Sequence, residues 1–202
     1  MIDDDTYKTI QKVSVGQVYK DKKSKFIGVS TPFVQLKELN YHLSEVKKKF
    51  KGAHHYCYAY KLGTTNITHR ANDDGEPKNS AGLPILGQIE SFKLTNILVV
   101  VVRYYGGVNL GVGGLISAYK NAAKLVLNQS TVINKTIEIP YLLCFSYNNM
   151  HSAMKILNRY QVNITKTEQN IKCDIYFMVR KSKCIALETH FKNNKAFVLK
   201  KL

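Results

Sequence analysis

Apolar positions recur along the chain with two periods, and the change from one to the other marks out its elements. Lys25-Phe26-Ile27-Gly28-Val29-Ser30 predicts a short strand. Beyond Pro32, the residues Leu36, Leu39, Leu43, Val46 and Phe50 fall at the three- and four-residue spacings of a helix with one buried face. Lys47, Lys48, Lys49 and Lys51 crowd its end, where cations offset the negative end of the helix dipole, and Gly52 stops it. Ala53 to Leu62 alternates as a strand: Ala53, His55, Cys57 and Ala59 share one face, and His54, Tyr56, Tyr58 and Tyr60 the other. The polar stretch from Asn72 to Pro84 carries Asp-Gly, Pro and Gly signals that exclude regular structure there. Ile85, Ile89 and Phe92 mark a short helix over 85–92. Ile97-Leu98-Val99-Val100-Val101-Val102 is apolar at every position, which predicts a strand buried on both faces at the centre of its sheet. A glycine-rich turn, Gly106 to Gly114, leads into a helix with Leu115, Tyr119, Ala122 and Val126 along one stripe.

From Glu138 the pattern changes. Strands are predicted over 139–147, 162–166, 171–179 and 196–199, with a helix through Met150, Ala153, Met154, Leu157 and Tyr160 and a weaker one over 182–191. The order β-α-β-β-α-β is that of a ferredoxin-like domain. The predicted fold class is therefore α+β, an N-terminal α/β domain over residues 1–135 followed by a ferredoxin-like domain over 136–202. No low-complexity linker separates them.

Composition narrows the possible roles. With 202 residues, 45% hydrophobic and 22% charged, the chain has the make-up of a folded protein rather than a disordered, collagenous or coiled-coil one. Its longest aliphatic run, Ile97 to Val102, is too short to cross a bilayer. Met1-Ile2-Asp3-Asp4-Asp5 is acidic where a leader would be basic. Cys57, Cys144, Cys173 and Cys184 form no CxxC pair, which favours free thiols in a reducing compartment. A cytoplasmic protein with no membrane partner is expected. The formal net charge is +16, and residues 136–202 are the denser part, with 11 basic against 4 acidic side chains. Such an excess attracts polyanions, nucleic acid first among them, although scattered lysines also serve solubility alone.

Candidate chemistry is sparse. His55 and Cys57 share a strand face, but no third metal ligand joins them. Asp73, Asp74 and Glu76 miss the EF-hand register, and turn carboxylates of this kind cap helices or pair with basic groups. Neither a metal nor a cofactor is expected. A strand, a glycine turn and a helix start together can cradle a phosphate on free backbone amides. Here Val112-Gly113 follow Gly111 where a P-loop has Lys and Ser/Thr, and Ile116 stands where a dinucleotide fingerprint has Gly. An unspecified anion site and a simple tight turn both remain open.

Several motifs share one order and spacing: Ala53-x-His55-x-Cys57-x-Ala59, Asp73-Asp74-Gly75-Glu76-Pro77, Ala81-Gly82-x-Pro84, and Arg103-Tyr104-Tyr105-Gly106-Gly107-x-x-Leu110-Gly111-x-Gly113-Gly114-Leu115. Together they resemble the YigZ/IMPACT family from about residue 20 to 130. The resemblance implies an N-terminal domain similar to the second domain of small-subunit ribosomal protein five, a fold of RNA-binding and ribosome-associated proteins. It also implies a C-terminal domain like one of elongation factor G. Eukaryotic relatives regulate translation initiation through a segment partly outside the shared domain. Departures are Asn79-Ser80 for the usual Gly-Thr, and Asn109 and Ser117 for two usual basic residues.

The resulting expectation is a cytoplasmic nucleic-acid- or ribosome-associated binding protein, a translation-related regulator more readily than an enzyme, with Lys47, Lys48, Lys49, Lys51, Arg180, Lys181 and Lys183 as nucleic-acid contacts. The family motifs suggest a binding cleft of Asp73, Asp74, Glu76, Arg103, Tyr104, Gly106 and Gly107. Two other readings stand beside it: an enzyme or binding protein for a phosphorylated small molecule using that cleft, and a protein-interaction adaptor without nucleic acid.

Overall fold

A computed structural model describes residues 5–169, 172–192 and 194–202. The elements run β1 (Thr6–Ile10), β2 (Ser14–Val15), β3 (Tyr19–Asp21), β4 (Ser24–Pro32), α1 (Leu39–Lys49), β5 (His55–Leu62), β6 (Thr68–Asn72), α2 (Gly82–Ser91), β7 (Ile97–Tyr104) and α3 (Gly111–Gln129). They continue through β8 (Val132–Thr136), β9 (Glu138–Phe145), α4 (Met150–Tyr160), β10 (Asn163–Gln169), β11 (Cys173–Arg180), α5 (Cys184–Lys192) and β12 (Phe197–Lys201). Two compact units result, one of Tyr7–Lys135 and one of Thr136–Leu202 joined by Asp5 and Thr6. The fold is α+β, as predicted.

In the first unit, a sheet in the order β2-β4-β7-β5-β6, with β3 paired to β4, puts the all-apolar β7 at its centre. Alternation along β7 sends Ile97, Val99 and Val101 into a core under α2 and α3, and Leu98, Val100 and Val102 into a second core under α1. Both faces of this strand are thus buried, which is why it shows no polar alternation. β5 divides as its pattern predicts: Cys57 and Ala59 join the first core, Tyr58 and Tyr60 the second.

Several elements had no readable signal. β6 lies at the sheet edge with Thr68, His69 and Arg70 exposed, so no apolar alternation marks it. The β3–β4 hairpin turns at Lys22 and Lys23, both at positive φ (41° and 67°), without the Asn-Gly pair that usually announces such a turn. α2 begins three residues before the helix predicted over 85–92, inside the stretch expected to be irregular. Pro84 sits in its first turn, where a missing N–H leaves no intrahelical bond unmade.

The second unit has the sheet order β10-β11-β9-β12, antiparallel throughout, which is the ferredoxin-like arrangement. Along β11, Cys173, Ile175, Phe177 and Val179 are buried while their alternates are half-buried. The predicted third strand begins at Ile171, which lies outside the described residues, as do Met1 to Asp4 of the acidic start. Asp5 belongs to this unit because its buried carboxylate accepts from Arg180 Nε and from the Ser182 amide. All four cysteines are free. Among the described residues no helix is long and apolar enough to cross a membrane.

Candidate functional site

Register brings the site together. On β7, Arg103 lies opposite Phe26 of β4 and His55 of β5, so three strands present one row of side chains toward α3. The Arg103 side chain is 6% exposed and its guanidinium lies over the rings of Phe26 (5.5 Å) and Tyr105 (5.1 Å). Nη1 donates to Glu76 Oε1 at 2.6 Å, and the Glu76 side chain is 4% exposed. Tyr119 of α3 donates its hydroxyl to the same oxygen at 2.7 Å. The Cys57 thiol stands 3.3 Å from that hydroxyl and 2.9 Å from the Asp73 carbonyl. Burial pushes the Cys57 thiol and the Tyr119 phenol far above their ordinary pKa values, so both stay protonated and serve as donors.

Backbone partners orient two histidines at the cleft. His55 Nδ1 lies 2.8 Å from the Asp74 carbonyl, which only accepts, so Nδ1 carries a proton; Nε2 lies 3.9 Å from Glu76 Oε1. His54 Nδ1 instead accepts from the Tyr105 amide at 3.2 Å, leaving the proton on Nε2. His54, His55, Glu76, Pro77, Arg103, Tyr105, Asn109, Leu110, Gly111, Val112 and Leu115 line a cleft of about 510 Å³.

The two aspartates of the acidic motif face their own backbone. Asp73 accepts from the amides of Ala81 (3.0 Å) and Gly82 (2.8 Å) with one oxygen and of Asn79 (2.8 Å) with the other, capping α2. Asp74 accepts from the Tyr56 amide at 2.6 Å. Of the three carboxylates only Glu76 reaches the cleft. Tyr104 alternates to the opposite sheet face, where its hydroxyl donates to the Lys51 carbonyl at 3.3 Å. Gly106 donates its amide to Ser24 Oγ, and a Cβ there would meet the Lys23 carbonyl carbon at 2.2 Å. Gly107 has φ +82°, which glycine adopts without strain. His54, His55, Tyr105, Pro77 and Leu115 line the cleft without having been predicted there, whereas Leu110, Gly111 and Val112 enter it from the glycine turn. Asn109, noted only as a departure, lines the cleft, its Oδ1 accepting from the Tyr105 hydroxyl at 3.0 Å; Ser117 lies near Asn121 on α3.

The lysines at the end of α1 are exposed, Lys47 over the Tyr56 ring and Lys48 paired with Glu45. In the second unit Arg180 pairs with Asp5, and Lys183 Nζ donates to the Tyr160 carbonyl and Gln161 Oε1. Among the described residues no three His, Cys, Asp or Glu side chains are grouped to hold a metal ion.

Fold and site define an α+β protein with a glycine-turn cleft in its first unit. The Impact N-terminal domain family matches residues 22–127. The chain is 32% identical over 152 residues to the IMPACT family member YigZ of Escherichia coli, covering 74% of each protein. With the IMPACT family member YvyE of Bacillus subtilis it shares 33% identity over 132 residues, 65% of this chain and 60% of that one. A solved structure of a hypothetical protein superposes with a TM-score of 0.77 at 25% identity, covering 98% of both chains. The chain belongs to the IMPACT family.

Proposed function

We propose that the protein is a cytoplasmic, RNA-binding factor that works in translation, in contact with the ribosome, and that its two compact units are its two domains, divided near residue 135. The observation that carries this reading is the β3–β4 hairpin. It sets Lys20 directly opposite Lys25, with Lys22 and Lys23 at the turn and all four exposed. Like charges directly opposed in a ladder destabilise it, and a bound polyanion relieves that cost. Lys25 in turn lies opposite Tyr104, whose hydroxyl reaches the end of α1, so Lys47, Lys49 and Lys51 extend the same basic surface. The net charge of +16 and the family's likeness to ribosome-associated folds support the reading, the second by analogy only.

Filter binding of a single-stranded oligoribonucleotide across a salt series tests it. Affinity should fall steeply with salt, and Lys20→Glu combined with Lys25→Glu should weaken it at least tenfold, because lysines neutralising phosphates release counterions. Absence of binding at low salt would remove the proposal. Cosedimentation of the wild-type chain with ribosomes, lost in the same variant, ties the surface to translation.

A further inference from the structure

We propose that the cleft at the start of α3 binds a nucleoside phosphate monoester, with the phosphate on the amides of the α3 N-terminus and the base against the wall formed by Tyr105 and His54. α3 is 19 residues long, has no side-chain cap and carries no acidic residue in its first turn. A helix start of this kind presents unsatisfied N–H groups and a positive dipole end. At Gly111 an added Cβ would meet nothing within 4 Å, so the backbone there stands open to an approaching ligand.

A second feature, separate from the helix, points to the same ligand. Arg103 lines this cleft, is 5% exposed, and its Nε has no hydrogen-bond partner among the described residues. A buried donor left unmade is costly, and a small rearrangement toward a bound anion would satisfy it. Glu76 does not oppose the anion, because its carboxylate is neutralised by Arg103 and Tyr119 and nearly closed to solvent.

The rest of the cleft suits a flat heterocycle. Pro77, Leu110, Val112 and Leu115 supply apolar surface, and the rings of His54 and Tyr105 meet edge to face with centroids 6.2 Å apart. His54 Nε2 and the Asn109 amide nitrogen are left as donors, since the opposite atom of each already accepts a hydrogen bond. Donors and acceptors on apolar walls recognise a base edge, and about 510 Å³ holds a mononucleotide. Lys20 and Lys25 share the sheet face of Tyr104, opposite to that of Arg103, so substituting them leaves the residues that line the cleft in place.

The phosphate monoester could be a free mononucleotide or the 5′ end of an RNA. Titration of the full chain with adenosine 5′-monophosphate, adenosine, and a short oligoribonucleotide with and without a 5′ phosphate distinguishes them. The monophosphate should bind and raise the melting midpoint, with adenosine at least tenfold weaker. A 5′-phosphorylated oligonucleotide that binds tighter than both its unphosphorylated counterpart and the monophosphate assigns the RNA end; a 5′ phosphate that adds nothing to oligonucleotide affinity, with the monophosphate still bound, assigns the free nucleotide. Val112→Asp places a carboxylate on the cleft wall at an exposed position, where an acid favours the helix and keeps the fold intact. It should lose at least tenfold in monophosphate affinity while melting as the wild type does. Equal binding of adenosine and its monophosphate, unchanged affinity in Val112→Asp, or no binding of any phosphorylated probe would overturn the proposal.

Discussion

Glu76 holds two donors from different elements in a place almost closed to water, Arg103 from β7 and Tyr119 from α3. Removing it leaves a buried guanidinium without its counter-charge, which typically costs about 3–5 kcal/mol. Urea unfolding of Glu76→Ala should show a loss of that order, and adding Arg103→Met should recover part of it by removing the stranded charge. Recovery of nothing would show that the network works through packing alone. Cys57 tests the same interior chemically. Its neutral thiol is the form the fold holds, so its contribution is complete below the ordinary thiol pKa of about 8.5 and is lost as pH rises through the higher folded value. Iodoacetamide at pH 8 should leave Cys57 unmodified in the native protein and label it in denaturant, read by peptide mass spectrometry.

Among the elements, α2 depends on a residue nine positions before its start. Asp73 takes the amides of Ala81 and Gly82, which is why the helix begins ahead of its apolar stripe. Asp73→Ala should destabilise the protein by about 0.5–2 kcal/mol, the usual range for a lost N-terminal cap, measured by urea unfolding. In the second unit Asp5 is tied to the turn after β11. Burial pushes its carboxyl up, but the bonds from Ser182 and Arg180 outweigh this and hold it below the ordinary carboxylate range. A depressed pKa contributes stability above the unfolded value, about 3.9, and loses it as pH falls through the folded one. Asp5→Asn should therefore melt lower than the wild type at pH 7, with the gap closing in strong acid. A gap that stayed constant from pH 7 to 2 would contradict the role given to this carboxylate.

At the scale of the molecule the dominant quantity is charge. A net +16 destabilises the compact state by self-repulsion, so raising salt from about 20 to 200 mM should lift the melting midpoint, the opposite of its expected effect on RNA binding. Much of the architecture was legible beforehand. Helix and strand periods depend on neighbours a few residues apart, so α1, β5, β7, α3 and the ferredoxin-like order were readable from apolar spacing. Short edge strands such as β6 were not, because Thr68, His69 and Arg70 are all exposed and leave no apolar alternation. The acidic motif and Arg103 stood out as residues, but their roles did not. Only packing decided that Asp73 and Asp74 serve the backbone while Glu76, at the same motif, reaches Arg103, 27 residues away. Alternation alone separates Arg103 from Tyr104, yet which face carries the cleft depended on where α3 settled. By itself the sequence determined the elements, the positive charge and the family motifs, since each is written in local spacing or in a sum. Tertiary structure decided which side chains share a cleft, because that follows from strand register and helix placement between residues far apart in the chain.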